Sequence, residues 1–180
     1  FALQQTLASL FAGLFIVTDR PIRLGDYVKL ESGEEGIVEF IGWRSVRIRL
    51  PLNTVAIIPN SKITSEAVTN YSLPDSEYIF MVDVGVDYAS DMERVEKVTL
   101  EVAREILKEV PEAVASFEPT IRWQAFADSA LQLTTLLRAK DFPGQYPVRN
   151  AFMKKLHKRY QAEGITIPYP TQRVFQKKFD

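Results

Sequence analysis

The first eighteen residues carry no charged side chain, and the charge-free run then ends abruptly at Asp19-Arg20-Pro21, with Arg23 close behind. Leu3, Leu7, Leu10, Leu14 and Val17 recur at alternating four- and three-residue spacing, which draws one apolar stripe along a helix. A second stripe on the same helix is small or polar: Ala2, Gln5, Ser9, Ala12 and Gly13. Eighteen helical residues reach about 27 Å, close to a hydrocarbon core of about 30 Å. Yet Gln4, Gln5, Thr6 and Ser9 are poor neighbours for lipid tails, so the segment does not read as an independent membrane span. Five large apolar side chains left in water would forgo on the order of 10 kcal/mol, so the stripe has to be covered. The small stripe permits another backbone to approach closely. A helix of this kind is either an amphipathic core helix or a segment packed at a membrane.

The remaining 160 or so residues are soluble in character. Charge is nearly balanced, at −1 over 180 residues, so no global field selects nucleic acid or anionic surfaces. The absence of cysteine removes disulfides, thiol nucleophiles and sulfur-ligated metals, and the single histidine, His157, rules out a histidine-rich metal site in one chain. The chain opens on Phe1 without a basic leader, which reads as a fragment or processed product rather than a signal peptide. Locally the charges separate. Residues 75–118 hold twelve Asp/Glu against four Lys/Arg, and residues 149–178 hold eight Lys/Arg against Glu163 alone. Such patches are either two solvated helix faces, or surfaces that meet between subunits or line an ion path.

After Pro21, residues 26–30, 36–41, 45–50 and 54–58 read as short strands rich in Val, Ile and Tyr, with turns at Ser32-Gly33 and Leu52-Asn53. Arg47 and Arg49 alternate with Val46, Ile48 and Leu50, the period of a half-buried strand. Residues 21–73 therefore form a small all-β domain. It lacks the basic, aromatic-studded face of a nucleic-acid binder. From residue 74 the pattern turns to mixed α and β. Phe80, Val82, Val84, Val86 and Tyr88 alternate along a strand. Ser90 and Glu93 make a capping box. The helix that follows aligns Met92, Val95, Val98, Val102, Ile106 and Val110 on one face. Strands over 120–126 and 131–139, a helix over 148–163 closed by Gly164, and a last strand over 165–170 complete a βαββαβ order, the ferredoxin-like split unit. The basic tail, residues 171–180, is a candidate further strand. The fold class is thus α+β. Asp83, Asp87 and Asp91 do not form a ligand loop, and no nucleophile–base–orienter set or phosphate-cradling loop is legible. An enzyme is not expected, and neither a cofactor nor a metal.

Three segments, "LASLFAGLFIVTDRPIRLGDYVKL", "IGWRSVRIRLPLNTVAIIPNSKI" and "GITIPYP", together resemble the small-conductance mechanosensitive channels of bacteria and organelles. The combination of "IIPNSKI" with "PYP" a hundred residues later is the most specific part. The resemblance implies a homoheptamer in the inner (plasma) membrane, with this chain mostly on its cytoplasmic side. Residues 1–20 would be the lower half of the pore-lining helix, residues 21–73 an Sm-like β domain, and residues 74–170 the α/β domain of a hollow cage. It implies as partners a self-assembled ring, membrane lipids, and permeating ions and small osmolytes released under osmotic stress, with no nucleic acid. It places Phe1 at or beside the apolar gate, with Ala2, Gln4, Gln5 and Ser9 along the pore base. Gln5 occupies the position where family members often kink at a glycine, Gly13 matches a family glycine at a second bend, and Arg20 and Arg23 fall at the cytoplasmic membrane interface. The competing reading is a soluble Sm-like or ferredoxin-like interaction or metabolite-binding module, whose N-terminal helix would be hidden inside one subunit.

Overall fold

A computed structural model of the chain describes residues 2–171 and shows two compact units, residues 1–76 and residues 77–180. The first begins with helix α1 (Ala2–Asp19) and continues as β1 (Tyr27–Leu30), β2 (Glu35–Ile41), β3 (Ser45–Arg49), β4 (Val55–Pro59), α2 (Asn60–Ser65) and β5 (Val68–Asn70). The strands make one antiparallel sheet in the order β4-β3-β2-β1-β5. Alternation decides the faces: Val46 and Ile48 on β3 are fully buried while Arg47 and Arg49 between them are exposed. The core gathers Ile16 of α1 with Ile22, Val28, Leu30, Val38, Val46, Ile48, Ile58 and Ile63.

Four of these strands match the sequence expectation to within a residue or two. Helix α2 and strand β5 do not appear in it, because six and three residues are too few to display a period. Tertiary contacts make both. Ile63 of α2 is buried in the core, and β5 is held to the edge of β1 through pairs such as Lys29 with Thr69.

The second unit comprises β6 (Tyr78–Val86), α3 (Met92–Glu109), β7 (Thr120–Phe126), β8 (Leu131–Ala139) and α4 (Gln145–Glu163). Its antiparallel sheet runs β6-β8-β7, and α3 and α4 pack on the face that carries Phe80, Val82, Leu133 and Leu137. Two details correct the sequence reading. The N-cap of α3 is Asp91 rather than Ser90: its carboxylate accepts the backbone N–H groups of Glu93 and Arg94. The run 165–170 does not pair as a strand among the described residues. It accepts one backbone hydrogen bond, from Asp87 N–H to the Thr166 carbonyl, and Pro168 and Pro170 have no N–H to offer a ladder. Most of the candidate tail strand, residues 172–180, lies outside the described residues.

The two charge runs also touch within this unit, on partly exposed helix faces. Glu101, Glu105 and Glu109 on α3 interleave with Lys155 and Arg159 on α4, each cation bridging two carboxylates at 2.7–3.5 Å. Four-residue spacing puts each set on one helix face. The Lys155 ammonium, through its hydrogen bond, holds the Glu105 carboxyl below its ordinary range, and Glu105 and Glu109 together push Lys155 up.

Candidate functional site

The seat of α1 on the β unit is the feature that composition alone leaves unexplained. Ala12, Gly13 and Ile16 form the buried face of the helix, with Ile16 only 1% exposed. Leu7, Leu10, Phe11, Leu14, Phe15 and Val17 point away from the unit and are about half or more exposed. The small stripe is therefore the docked one, and the leucine stripe is uncovered among the described residues. The choice follows from shape. A helix whose contact face bears Ala and Gly can lie almost backbone to backbone on its support, and the large side chains are left outside.

Gly13 shows how tight that contact is. A Cβ added there would sit 2.7 Å from the Trp43 carbonyl oxygen and 2.8 Å from Asn60 Nδ2. Both neighbours are held. Trp43 lies in the turn between β2 and β3, closed by the hydrogen bond from Gly42 N–H to the Ser45 carbonyl. Asn60 is fully buried, its side-chain amide donates to the Gly42 carbonyl at 2.9 Å, and its backbone N–H donates to the Arg44 carbonyl. The carbonyl oxygen of the Asn60 side chain has no partner. The "IIPNSKI" motif thus has a physical content: Ile58 and Ile63 anchor in the core, Asn60 props the turn under α1, and Lys62 pairs with Glu34 and Glu66.

At its C-terminal end α1 is closed by Arg20, whose positive φ of 52° and N–H donated to the Ile16 carbonyl terminate the helix before Pro21. The loop beyond is fixed by Asp26. This buried carboxylate accepts the Arg23 backbone N–H and the Asn70 side-chain amide, which also donates to the Pro21 carbonyl. The side chains of Arg20 and Arg23 are exposed and make no ion pair among the described residues. Phe1, and the side chains of Ala2, Gln4, Gln5 and Ser9, lie outside the described residues. Sequence reasoning singled out Gly13, Arg20 and Arg23 but missed Trp43, Asn60 and Asp26. Trp43 and Asn60 stood inside the segments that carry the resemblance, and their partners are too distant in sequence to be inferred.

Among the described residues no group of three His, Asp or Glu could hold a metal ion, and no helix is long and apolar enough to cross a membrane.

Comparison with known proteins agrees with this architecture. Residues 5–73 match the model of the mechanosensitive ion channel β-domain, and residues 80–167 that of the MscS C-terminal domain. The small-conductance channel MscMJ of Methanocaldococcus jannaschii is 32% identical over 98% of this chain and 50% of its own length. The large-conductance channel MscMJLR of the same organism is 30% identical over 99% of this chain and 50% of its own. The chain thus spans about half the length of these relatives. The crystal structure of Helicobacter pylori MscS in the closed state superposes with a TM-score of 0.83 at 24% identity, covering 99% of this chain and 68% of that one. Arabidopsis thaliana MSL1 gives 0.69 at 19% identity, covering 94% and 61%. With both of its units matched in order, this chain belongs to the MscS family of mechanosensitive ion channels, a family of channels and not of enzymes.

Proposed function

We propose that this chain is the pore base and cytoplasmic cage of a tension-gated, weakly selective channel of the inner (plasma) membrane, which assembles as a homoheptamer and releases ions and small osmolytes on hypo-osmotic shock. The observation that carries the reading is the two-faced α1. One face is locked to the β unit through Gly13, and the other offers Leu7, Leu10, Phe11, Leu14, Phe15 and Val17 to whatever lies outside the chain. Lipid and neighbouring subunits are apolar enough to cover it; water is not. A soluble interaction module would have folded this face inward, so the exposed stripe counts against that alternative.

In this reading Phe1 stands at the constriction. An apolar ring closes a pore by expelling water, and widening it lets water and ions return. Ala2, Gln4, Gln5 and Ser9 continue the pore wall, with bending at Gln5 and Gly13, while Arg20 and Arg23 rest at the cytoplasmic headgroups. The test is patch-clamp recording of the full-length channel carrying Phe1→Asp. A lowered opening tension and slowed growth of expressing cells are expected, because a carboxylate wets the constriction. Gating at wild-type tension places the constriction elsewhere. Ring assembly is tested separately by cross-linking and mass measurement of the full-length channel in detergent, where a monomer overturns it.

A further inference from the structure

The sheet of the second unit has one face under α3 and α4 and another that no described element of that unit covers. Alternation sends Met81, Asp83 and Gly85 of β6, Gln132, Thr134 and Leu136 of β8, and Thr120 and Arg122 of β7 to that outer face. The register is the telling part. Asp83 pairs with Thr134, and Thr134 pairs with Arg122, so a carboxylate, a hydroxyl and a guanidinium stand in one row across three strands. Two interstrand spacings separate the charges by about 10 Å at the backbone, and no ion pair joins them. Thr134 donates its hydroxyl to Asp83 and is only 2% exposed, although no helix lies over it. Asp83 is exposed and keeps acceptor positions beyond the one Thr134 uses. Arg122 is exposed and has no hydrogen-bond or ion-pair partner among the described residues.

Beside this row lies a hollow of about 530 Å³, lined by Met81, Asp83, Gly85, Gln124, Gln132 and Thr134. Its floor is low at Gly85 because there is no side chain. Ala130, from the connection between β7 and β8, bounds that end, its Cβ only 3.0 Å from where a Gly85 Cβ would lie. The hollow therefore has an anionic side at Asp83, two amides with no partner among the described residues, and an apolar patch at Met81. Arg122 does not line it but stands one strand over from Thr134 in the same register row.

We infer that this outer face binds a small zwitterion of the α-amino acid class, its ammonium on Asp83 and its carboxylate on Arg122. Arg122 can meet a carboxylate with two parallel N–H donors, while Asp83 accepts from an ammonium and stays oriented by Thr134. The ligand's side chain lies over Met81 and Gly85, and Gln124 and Gln132 give hydrogen bonds at the rim. A bare metal cation is poorly served, because a single carboxylate leaves most of its coordination shell unfilled. A simple anion or cation engages half of the row. Only a ligand with both charges engages all of it.

The test is titration of the full chain in detergent micelles with l-alanine as probe, followed by NMR shifts of labelled Thr134 and Gly85. Saturable binding is expected, with Asp83→Asn and Arg122→Gln each weakening it at least tenfold, about 1.4 kcal/mol. Acetate and methylammonium, offered singly, bind at least tenfold more weakly than alanine. The exchanged pair D83R/R122D recovers binding, because the ligand can reverse its direction. In Asp83→Asn the side-chain oxygen still accepts from Thr134, and Arg122 is exposed, so the single variants keep their thermal midpoint. The exchanged pair takes the acceptor from the buried Thr134 hydroxyl and lowers its midpoint. Its binding is therefore measured well below that midpoint and checked against Arg122→Lys, which folds and retains part of the affinity. The inference is overturned if alanine does not saturate, as when a second copy occupies this face. It is equally overturned if the single variants bind like wild type, or if acetate alone matches alanine.

Discussion

Enlarging Gly13 tests the coupling between α1 and the β unit most directly. A Cβ there falls within 2.8 Å of two atoms that cannot swing aside, a main-chain carbonyl and a buried amide already bonded to Gly42. Gly13→Ala sets two effects against each other. Helix propensity favours alanine by about 1 kcal/mol, and overpacking of a tight contact costs about 1–3 kcal/mol, so the net loss is about 0–2 kcal/mol. Gly13→Leu adds three more carbons to the same space, and α1 has to lift. Lifting exposes Ile16, whose burial contributes about 1.5–3 kcal/mol. It also lets water reach the unpartnered Asn60 oxygen, which offsets part of the loss. The expected weakening of docking is about 2 kcal/mol, roughly thirtyfold in the equilibrium. Amide hydrogen exchange over residues 10–18 reads it directly. Emission from Trp43 reads it independently once Trp123, the other tryptophan, is replaced by Phe. Amides of α3 and α4 serve as the internal control, since they belong to the other unit. Wild-type exchange in α1 of Gly13→Leu refutes the argument. In the full-length channel the same variant is expected to disturb gating or assembly, and unaltered patch-clamp behaviour removes α1 docking from the mechanism.

The α3–α4 ion ladder predicts a pH profile. Glu105 is held low by Lys155, so its contribution is full above the unfolded carboxylate value and is lost as pH falls through the depressed folded one. Lys155 is raised by Glu105 and Glu109, so its contribution is full below the unfolded lysine value and is lost as pH rises through the raised one. Denaturation midpoints of the second unit should therefore plateau between these limits, and Glu105→Gln should flatten the acid limb; an unchanged acid limb removes Glu105 from the account. Asp91→Ala removes the α3 cap and should cost about 1 kcal/mol by chemical denaturation, whereas Ser90→Ala should cost much less; the reverse order would restore Ser90 as the cap. Gly164 closes α4 at φ +67°, so Gly164→Ala should destabilise by about 1 kcal/mol, with thermal unfolding as the readout.

Short-range pattern carried a great deal. The 3.6-residue period of Val95, Val98, Val102 and Ile106 and the two-residue period of Phe80, Val82 and Val86 each settle a buried face without knowledge of any partner, because one apolar face has one place to go. Gly164 ended α4 where expected for the same local reason, its tolerance of positive φ. Family membership was also legible, since three spaced segments preserve it. Sequence could not decide which face of α1 docks. Its leucine stripe is the more hydrophobic, yet the small stripe is the one that fits against Trp43 and Asn60, so shape overrode hydropathy. Nor could it reveal that Glu101, Glu105 and Glu109 meet Lys155 and Arg159 within one unit, or that Asp83, Thr134 and Arg122 share a row. Those facts depend on the register of strands and helices that are not neighbours in any short stretch of sequence, and registry is set by the packing of the whole unit rather than by any window of the chain.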